Sequence, residues 1–203
     1  MMPKVLRKAF FPPYLWAMKF IRAASVIGSI VCLLATGTAF SSTEADGMDV
    51  LFRRLETAED DLQSGLARAA ILSRLARSNS DTVDLLAARA GAAEAAGAPD
   101  VARELLDYVV SLAPDWSDGF VRRARVRATA GEDYGAIADL EAAIKIEPRR
   151  FDALEMLGVV AERAGQKKQA LDAYRRARAL DPHNEDSRKN AERLRVDVEG
   201  RDI

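Results

Sequence analysis

At 203 residues the chain is long enough for one ordinary domain and hardly more. With 49% hydrophobic, 30% charged and only 6% aromatic residues, it is not a disordered chain, and the composition favours helices that pack through small side chains. Residues 1–43 carry five bases and no acid, which leaves 25 bases against 31 acids in the remainder, and such an acidic body is a poor binder of nucleic acid.

The N-terminal stretch has the pattern of a targeting signal. An uncharged segment, residues 23–40, follows several bases and ends in small residues, as in a secretory signal peptide. The alternative for residues 1–43 is an uncleaved membrane anchor, because about 18 apolar residues just span a bilayer. Translation from Met1 or from Met18 is compatible with both. Either way the bases stay inside, so we expect a periplasmic location or an inner-membrane anchor with the body facing the periplasm.

The residue types that most often carry chemistry are scarce. The sequence has one cysteine, Cys32, inside the apolar N-terminal segment, and one histidine, His183. A chain without that segment therefore has no thiol for a disulfide or a metal site. We expect no catalytic, cofactor or metal site, and an enzyme is the least favoured class of function.

A period of 34 residues organises the chain after residue 82. Each period is predicted to form two helices of about 12–14 residues, with a glycine ending the first helix and a proline ending the second. One such pair cannot cover its own apolar stripe, so at least three pairs must stack. The recurring residues are Pro114, Pro148 and Pro182; Gly97, Gly131 and Gly165; and Ala102, Ala136 and Ala170.

Units 83–116, 117–150 and 151–184 resemble tetratricopeptide repeats. The third unit matches best, whereas the first two have alanine and leucine where a glycine and a tyrosine are usual. The resemblance implies an all-α fold, a right-handed α-solenoid of tandem 34-residue helix-turn-helix repeats, with a role in binding proteins. The residues of the third unit at the family's signature positions are Leu154, Leu157, Gly158, Ala161, Ala170, Tyr174, Ala177 and Pro182.

Both ends of the array are predicted to be helical. Residues 44–82 are interpreted as a degenerate fourth unit or a cap, because Gln63 and Ser80 stand where the period requires glycine and proline. Residues 185–203 are expected to form a C-terminal capping helix over about 185–196, capped by Asn184, and a frayed tail. In the N-terminal pair, the predicted apolar faces are Met48, Leu51, Phe52, Leu55 and Leu62, then Leu66, Ala69, Ala70 and Leu75.

The first helices of the units are expected to line a groove. Their positions that are not used for packing form a mildly acidic strip with apolar gaps, which suits a basic or amphipathic segment of a protein or peptide. Ordinary solvated surface is the alternative. These positions are Asp84, Glu94, Asp118, Val121, Arg125, Asp152, Glu155, Val159 and Glu162, with Ala87, Gly91 and Ala128 between them.

A run of arginines in the second unit has two interpretations. Arg122 and Arg125 have the fork geometry to grip a carboxylate on a partner. The favoured interpretation is structural: Arg123 and Arg127, four residues apart, lie along the neighbouring unit and pair with nearby acids.

The sequence thus predicts an interaction module or adaptor in the bacterial cell envelope that holds a partner segment in its groove. The alternative is a scaffold that self-assembles, or organises an envelope complex, through its ends. Membrane contact is expected only if the N-terminal segment is retained, and the sequence leaves the oligomeric state open.

Overall fold

The computed structural model describes residues 39–200, with side chains from residue 47 onward. The chain divides into two compact units, Met1–Gly47 and Met48–Ile203. Of the first unit only residues 39–47 are described, as the beginning of a helix. The predicted signal or anchor, 1–43, lies outside the described residues except for its last five. Among residues 39–200, none of the helices combines the length and apolar character needed to cross a bilayer.

Helices alone make up the regular structure of the described residues, and this confirms the predicted all-α repeat fold. From α3 to α9, each helix packs against the next along the chain. The helices are α1 (Ala39–Glu56), α2 (Asp61–Leu75), α3 (Asp81–Ala95), α4 (Pro99–Leu112), α5 (Ser117–Thr129), α6 (Asp133–Ile146), α7 (Phe151–Arg163), α8 (Lys167–Leu180) and α9 (Glu185–Glu199).

The repeated glycines end the first helix of each pair, as predicted. Gly97, Gly131 and Gly165 have φ angles of 73°, 79° and 79°, in the left-handed region that a residue with a Cβ avoids. The residue after each glycine donates its backbone N–H to the carbonyl five positions back, for example Ala98 to Ala93 at 2.9 Å. Helices α4, α6 and α8 each end two residues before a repeated proline.

The third pair has a glycine at the helix contact where the first two pairs have an alanine. The ring of Tyr174 packs on Gly158, where an added Cβ would lie 2.5 Å from the ring's Cε1. In the second unit the equivalent residues are Leu140 and Ala124, which are buried in one cluster. The two departures of the second unit from the family pattern therefore compensate each other. Ala124 adds a methyl group at the helix contact, and Leu140 makes room for it because it is smaller than a tyrosine ring.

We expect Gly158→Ala to lower the free energy of unfolding by about 1–3 kcal/mol, because the new methyl group must displace a buried ring. Adding Tyr174→Leu, the combination found in the second unit, is expected to recover part of that loss. Urea denaturation followed by circular dichroism measures both effects.

Gly91→Ala is the control for this substitution. Gly91 lies within α3 with nothing near the position of a Cβ. Removing backbone entropy there is expected to raise stability by about 0.5–1 kcal/mol. Equal losses in the two alanine variants, or strict additivity in the double variant, would contradict the packing argument.

The C-terminal cap follows the prediction, with three more residues in its helix. The side chain of Asn184 accepts a hydrogen bond of 2.7 Å from the backbone N–H of Ser187, as expected of a helix cap. Ala191 and Leu194 are buried against the last repeat. Helix α9 thereby covers the apolar stripe that the third repeat would otherwise expose.

The N-terminal pair differs from its prediction in helix boundaries. The first helix ends at Glu56, and Asp60 caps the second by accepting from the backbone N–H of Gln63 at 2.7 Å. Leu62 therefore belongs to α2, not to the face of the first helix. The sequence analysis missed this break because the apolar spacing continues through it.

The predicted buried face of α2 is wrong for Leu66, Ala69 and Ala70, which are exposed, whereas Leu75 packs against the apolar cluster beneath the helix. Leu62 and Leu66 are 72% and 64% exposed, and the helix buries Ser64, Ala67 and Ile71 instead. The α2 sequence has apolar residues on both sides, and the buried side is the one whose polar groups find partners on the third repeat. Those partners hold α2 beside the third repeat.

Candidate functional site

The first helices of the repeats, α3, α5 and α7, carry the predicted groove residues, and we call their common surface the inner face. Two of these residues are not available there as predicted, because Asp118 and Val121 are buried. Asp118 and Arg122, one turn apart on α5, form an ion pair at 2.6 Å. Asp84 is also engaged, since its carboxylate accepts from the hydroxyl of Ser78 at 2.6 Å.

A buried arginine joins the second and third repeats. Arg150 is 1% exposed and donates to the hydroxyl of Ser117 at 2.8 Å and to the carboxylates of Asp118 and Asp152. A charge removed from water is tolerated only when such partners surround it. The acids of this part of the inner face are therefore used to neutralise the chain's own arginine.

Ion pairs also cross from one repeat to the next. Glu94 pairs with Arg125 at 3.0 Å, and Glu162 pairs with Arg193 at 2.6 Å. Each pair joins residues 31 positions apart, and the second pair lies two 34-residue periods after the first. The same contact is thus made at two steps of the array.

At the step between these two, the equivalent residues are Ala128 and Val159, so the ion pair is replaced by apolar side chains. Val159 is 54% exposed, and Met156 beside it on α7 is only partly buried. At this step the inner face therefore presents apolar side chains in place of an ion pair.

The structural interpretation of the arginine run holds for the pairing with acids, but of Arg123 and Arg127 only Arg123 contacts an acid of a neighbouring unit. Arg123 and Arg127 both donate to the buried carboxylate of Asp139 in the same repeat, at 2.7 and 2.8 Å. Arg123 also pairs with Asp107 of the preceding repeat at 2.8 Å. These side chains hold the helices together and are not directed at a partner.

A cleft of about 730 Å³ opens between α2, α7 and α9, and we call it the C-terminal cleft. Its floor includes the apolar side chains of Met156 and Val159, and acidic side chains surround it. The residues that line it are Asp61, Ser64, Gly65, Arg68, Asp152, Glu155, Met156, Val159, Tyr174, Asp181, His183, Asn184, Glu185, Asp186, Ser187 and Asn190.

Most acids of the cleft are paired, and Asp186 at the rim is exposed to solvent. Arg68 contacts Glu155 at 3.1 Å and also pairs with Asp181, which is fully buried. Burial raises the pKa of the Glu155 carboxyl, and the nearby Arg68 opposes that rise. Asp186, in the first turn of α9, is exposed at the rim and presents negative charge to a ligand, whereas the neighbouring Glu185 pairs with Arg188 at 2.7 Å.

Three of the predicted groove residues line this cleft: Asp152, Glu155 and Val159. The other seven lie outside it: Asp84, Glu94, Asp118, Val121, Arg122, Arg125 and Glu162. The sequence analysis missed Asp186, although it continues the 34-residue series of Asp84, Asp118 and Asp152. It could not find Arg68, because the contacts of Arg68 with Glu155 and Asp181 follow no period.

His183 connects the last repeat to the N-terminal pair. Its Nε2 lies 2.8 Å from the carbonyl oxygen of Ala58, and its Nδ1 lies 3.0 Å from a carboxylate oxygen of Asp61. Both neighbours only accept hydrogen bonds, so both ring nitrogens must carry a proton to satisfy them. These contacts raise the pKa of His183, the Ala58 carbonyl first and Asp61 second, with Asp181 adding a smaller effect.

We expect the stability of the folded chain to fall as the pH rises through the folded-state pKa of His183. Folding raises this pKa above 6.5, so the contribution is complete below about pH 6.5 and is lost at higher pH. Thermal unfolding between about pH 5.5 and 8 measures it.

His183→Gln serves as the control, because His183 is the chain's only histidine. The variant should show a flatter dependence of the unfolding temperature on pH over this window. A wild-type profile that stays flat, or one that the substitution leaves unchanged, would contradict a protonated contact.

Within residues 47–200, no group of three or more histidine, cysteine, aspartate or glutamate side chains is placed to hold a metal ion. The chemistry of the C-terminal cleft is that of its side chains: apolar contact on the floor and negative charge at the rim. Such a site can bind an elongated group that has an apolar side and a cation.

Comparison with known proteins points to one family. The tetratricopeptide repeat model matches residues 151–184, the same residues as the third predicted unit. A TPR repeat-containing protein of Rhizobium etli is 28% identical over 136 residues, which cover 67% of each chain.

Solved structures share the fold. The Sgt2 TPR domain from Aspergillus fumigatus has a TM-score of 0.54 and 22% identity, over 59% of this chain and 81% of that one. The first TPR of Spaghetti (RPAP3), bound to the HSP90 peptide SRMEEVD, has a TM-score of 0.55 and 15% identity, over 58% of this chain and 93% of that one.

Proposed function

We propose that this chain, which belongs to the tetratricopeptide repeat family, is a protein–protein interaction module that holds a partner segment in its C-terminal cleft. The segment is amphipathic and basic. The role is binding and not catalysis, which agrees with the family match.

One observation carries this proposal: the ion pair made by Glu94 with Arg125 is replaced by the apolar Ala128 and Val159 at the next step of the array, where the cleft opens. Val159 and Met156 form an apolar floor there, while Glu185 and Asp186 stand at the rim. Apolar contact supplies most of the affinity of such sites, and complementary charge supplies selectivity and speed of association.

The negative charge of the cleft determines the charge of the partner segment that we propose. The peptide bound by the RPAP3 repeat, SRMEEVD, contains three acidic residues. A peptide of that kind would meet the exposed carboxylate of Asp186 in this cleft and be repelled, because Asp152 and Glu155 are already paired with Arg150 and Arg68 and offer it no cation. We therefore propose a segment with lysine or arginine next to an apolar side chain.

We expect Val159→Asp and Asp186→Arg each to weaken partner capture at least tenfold, which corresponds to about 1.4 kcal/mol. The first places a charge on the apolar floor, and the second reverses the charge at the rim. The immobilised full chain is mixed with cell extract, the captured protein is identified by mass spectrometry, and its affinity for each variant is then measured.

Val101→Asp and Glu192→Arg are the matched controls. Val101 is exposed to nearly the same degree on α4, and Glu192 is exposed on α9, and both lie outside the cleft. Their capture should equal that of the wild-type chain. If all four variants capture the partner equally, the binding site lies elsewhere.

We also propose that the module works outside the cytoplasm, in the bacterial cell envelope. The support is the distribution of charge in residues 1–43, which have five bases, no acid and an apolar segment. Export by cleavage leaves a periplasmic protein, and retention of the segment leaves a protein anchored in the inner membrane.

Protease treatment of intact cells and of spheroplasts is expected to degrade the chain only in spheroplasts. Extraction with alkaline carbonate then separates the two forms, since a cleaved protein is released and an anchored one stays with the membrane. Protection from protease in spheroplasts would place the repeats in the cytoplasm and overturn this proposal.

A further inference from the structure

We propose that helix α2 occupies a binding site on the inner face, and that a partner's amphipathic helix carrying an arginine takes its place there. This inference rests on the proposed function, because it assumes that the inner face binds protein segments. It adds the class of the ligand and the segment of the chain that competes with it.

The apolar part of the site is centred on Phe151, the first residue of α7. Its ring is fully buried and packs in one cluster with Ala67 and Ile71 of α2 and with Phe52 and Leu55 of α1. The residues one period before and after Phe151 are polar, namely Ser117 and Glu185. An aromatic ring thus stands only at the repeat that α2 covers, where it gives a helix an apolar surface to bind.

The polar part of the site has the chemistry that recognises a guanidinium group. Arg68 of α2 pairs with Asp181 and Glu155, and its guanidinium carbon lies 4.7 Å from the centre of the Phe151 ring. Ser64, one turn earlier, donates to Asp181 at 3.0 Å. Two carboxylates and an aromatic face suit arginine better than lysine, because the planar guanidinium donates to both acids while it stacks.

The contact between α2 and the repeats is small compared with the contacts inside the repeats. Helix α2 buries Ser64, Ala67 and Ile71, two of which are small, whereas α7 buries seven residues. The opposite side of α2 exposes Leu62 and Leu66 to solvent. A helix with so little buried apolar surface opens at a lower free energy than the repeat core.

The ends of α2 are held by few hydrogen bonds to the repeats. The indole N–H of Trp116 donates to the carbonyl of Leu75 at 2.9 Å, and His183 contacts Ala58 before the helix and Asp61, its first residue. The short connections to α1 and α3 keep α2 close to the site, so it competes with any partner at high effective concentration. A partner therefore binds weakly until α2 is released.

The ligand is predicted by the buried pattern of α2 itself: a small residue, then an arginine next along the helix and an aliphatic residue one turn after the small one. In α2 these are Ala67, Arg68 and Ile71. A synthetic peptide of residues 59–77 contains this pattern and is the probe for the site. Its binding to the full chain is measured by fluorescence anisotropy.

Ile71→Asp releases α2 by placing a charge among buried apolar side chains. We expect this variant to bind the peptide at least tenfold more tightly than the wild-type chain does. Leu66→Asp is the matched control, because it makes the same change of charge on the exposed side of the same helix, and it should bind the peptide as the wild type does. A peptide with Arg68→Glu should lose at least tenfold in affinity for the released variant.

Hydrogen exchange of the wild-type chain gives a test that needs no variant. The amides of residues 61–75 are expected to exchange through an opening that leaves the amides of α7 protected. Exchange of α2 and α7 through one common opening would overturn the inference. So would a folded Ile71→Asp chain that gains no peptide binding, or the unfolding of the repeats in that variant.

These outcomes are independent of the test of the C-terminal cleft. Val159→Asp and Asp186→Arg change the cleft while α2 stays in place, whereas peptide binding to Ile71→Asp reports on the surface beneath α2. Loss of the second result with retention of the first would overturn only this inference.

Discussion

The stacking of each helix pair against the next is the constraint on which the rest of this structure depends. A single pair leaves its apolar stripe open, and only a neighbour of the same shape can cover it. The contact between Gly158 and Tyr174 fixes how closely one pair closes, and α9 covers the last stripe with Ala191 and Leu194. Because the pairs follow one another at a constant interval, their first helices form one continuous surface. The side chains on that surface determine what the protein can bind.

Charge on that surface follows from the stacking. Each repeat brings acids toward the bases of its neighbour, and an acid that loses water must gain a cation. Arg150, buried between Asp118 and Asp152, and the pair Glu94–Arg125 show how most of the inner face is neutralised. At the end of the array α9 supplies Arg193 to Glu162 and Arg188 to Glu185, and the carboxylate of Asp186 stays exposed at the rim of the cleft.

The repeats could be predicted from the sequence because their landmarks act locally. A glycine such as Gly165 ends a helix by its own backbone conformation, and a proline such as Pro182 prevents the next one from continuing. The cleft depends on contacts that have no local signal. Arg68 meets Asp181 across 113 positions, and nothing in the α2 sequence distinguishes its two apolar sides. The choice between them is made by partners on another repeat, and a pattern within one helix cannot report it.

The contact that holds α2 also explains how a site of this kind can be selective. A buried ion pair contributes little net stability compared with a well-packed apolar contact, but breaking it by removing one partner is costly. A bound helix without an arginine would shield Glu155 and Asp181 from water without supplying a cation. The free-energy cost of those unpaired charges disfavours such a helix and does not affect a helix that carries an arginine. Phe151 beneath Arg68 adds a preference for a planar cation. The ion pairs of Arg68 with Glu155 and Asp181 therefore add little to the stability of the fold, but they make the surface beneath α2 selective for a helix that carries an arginine.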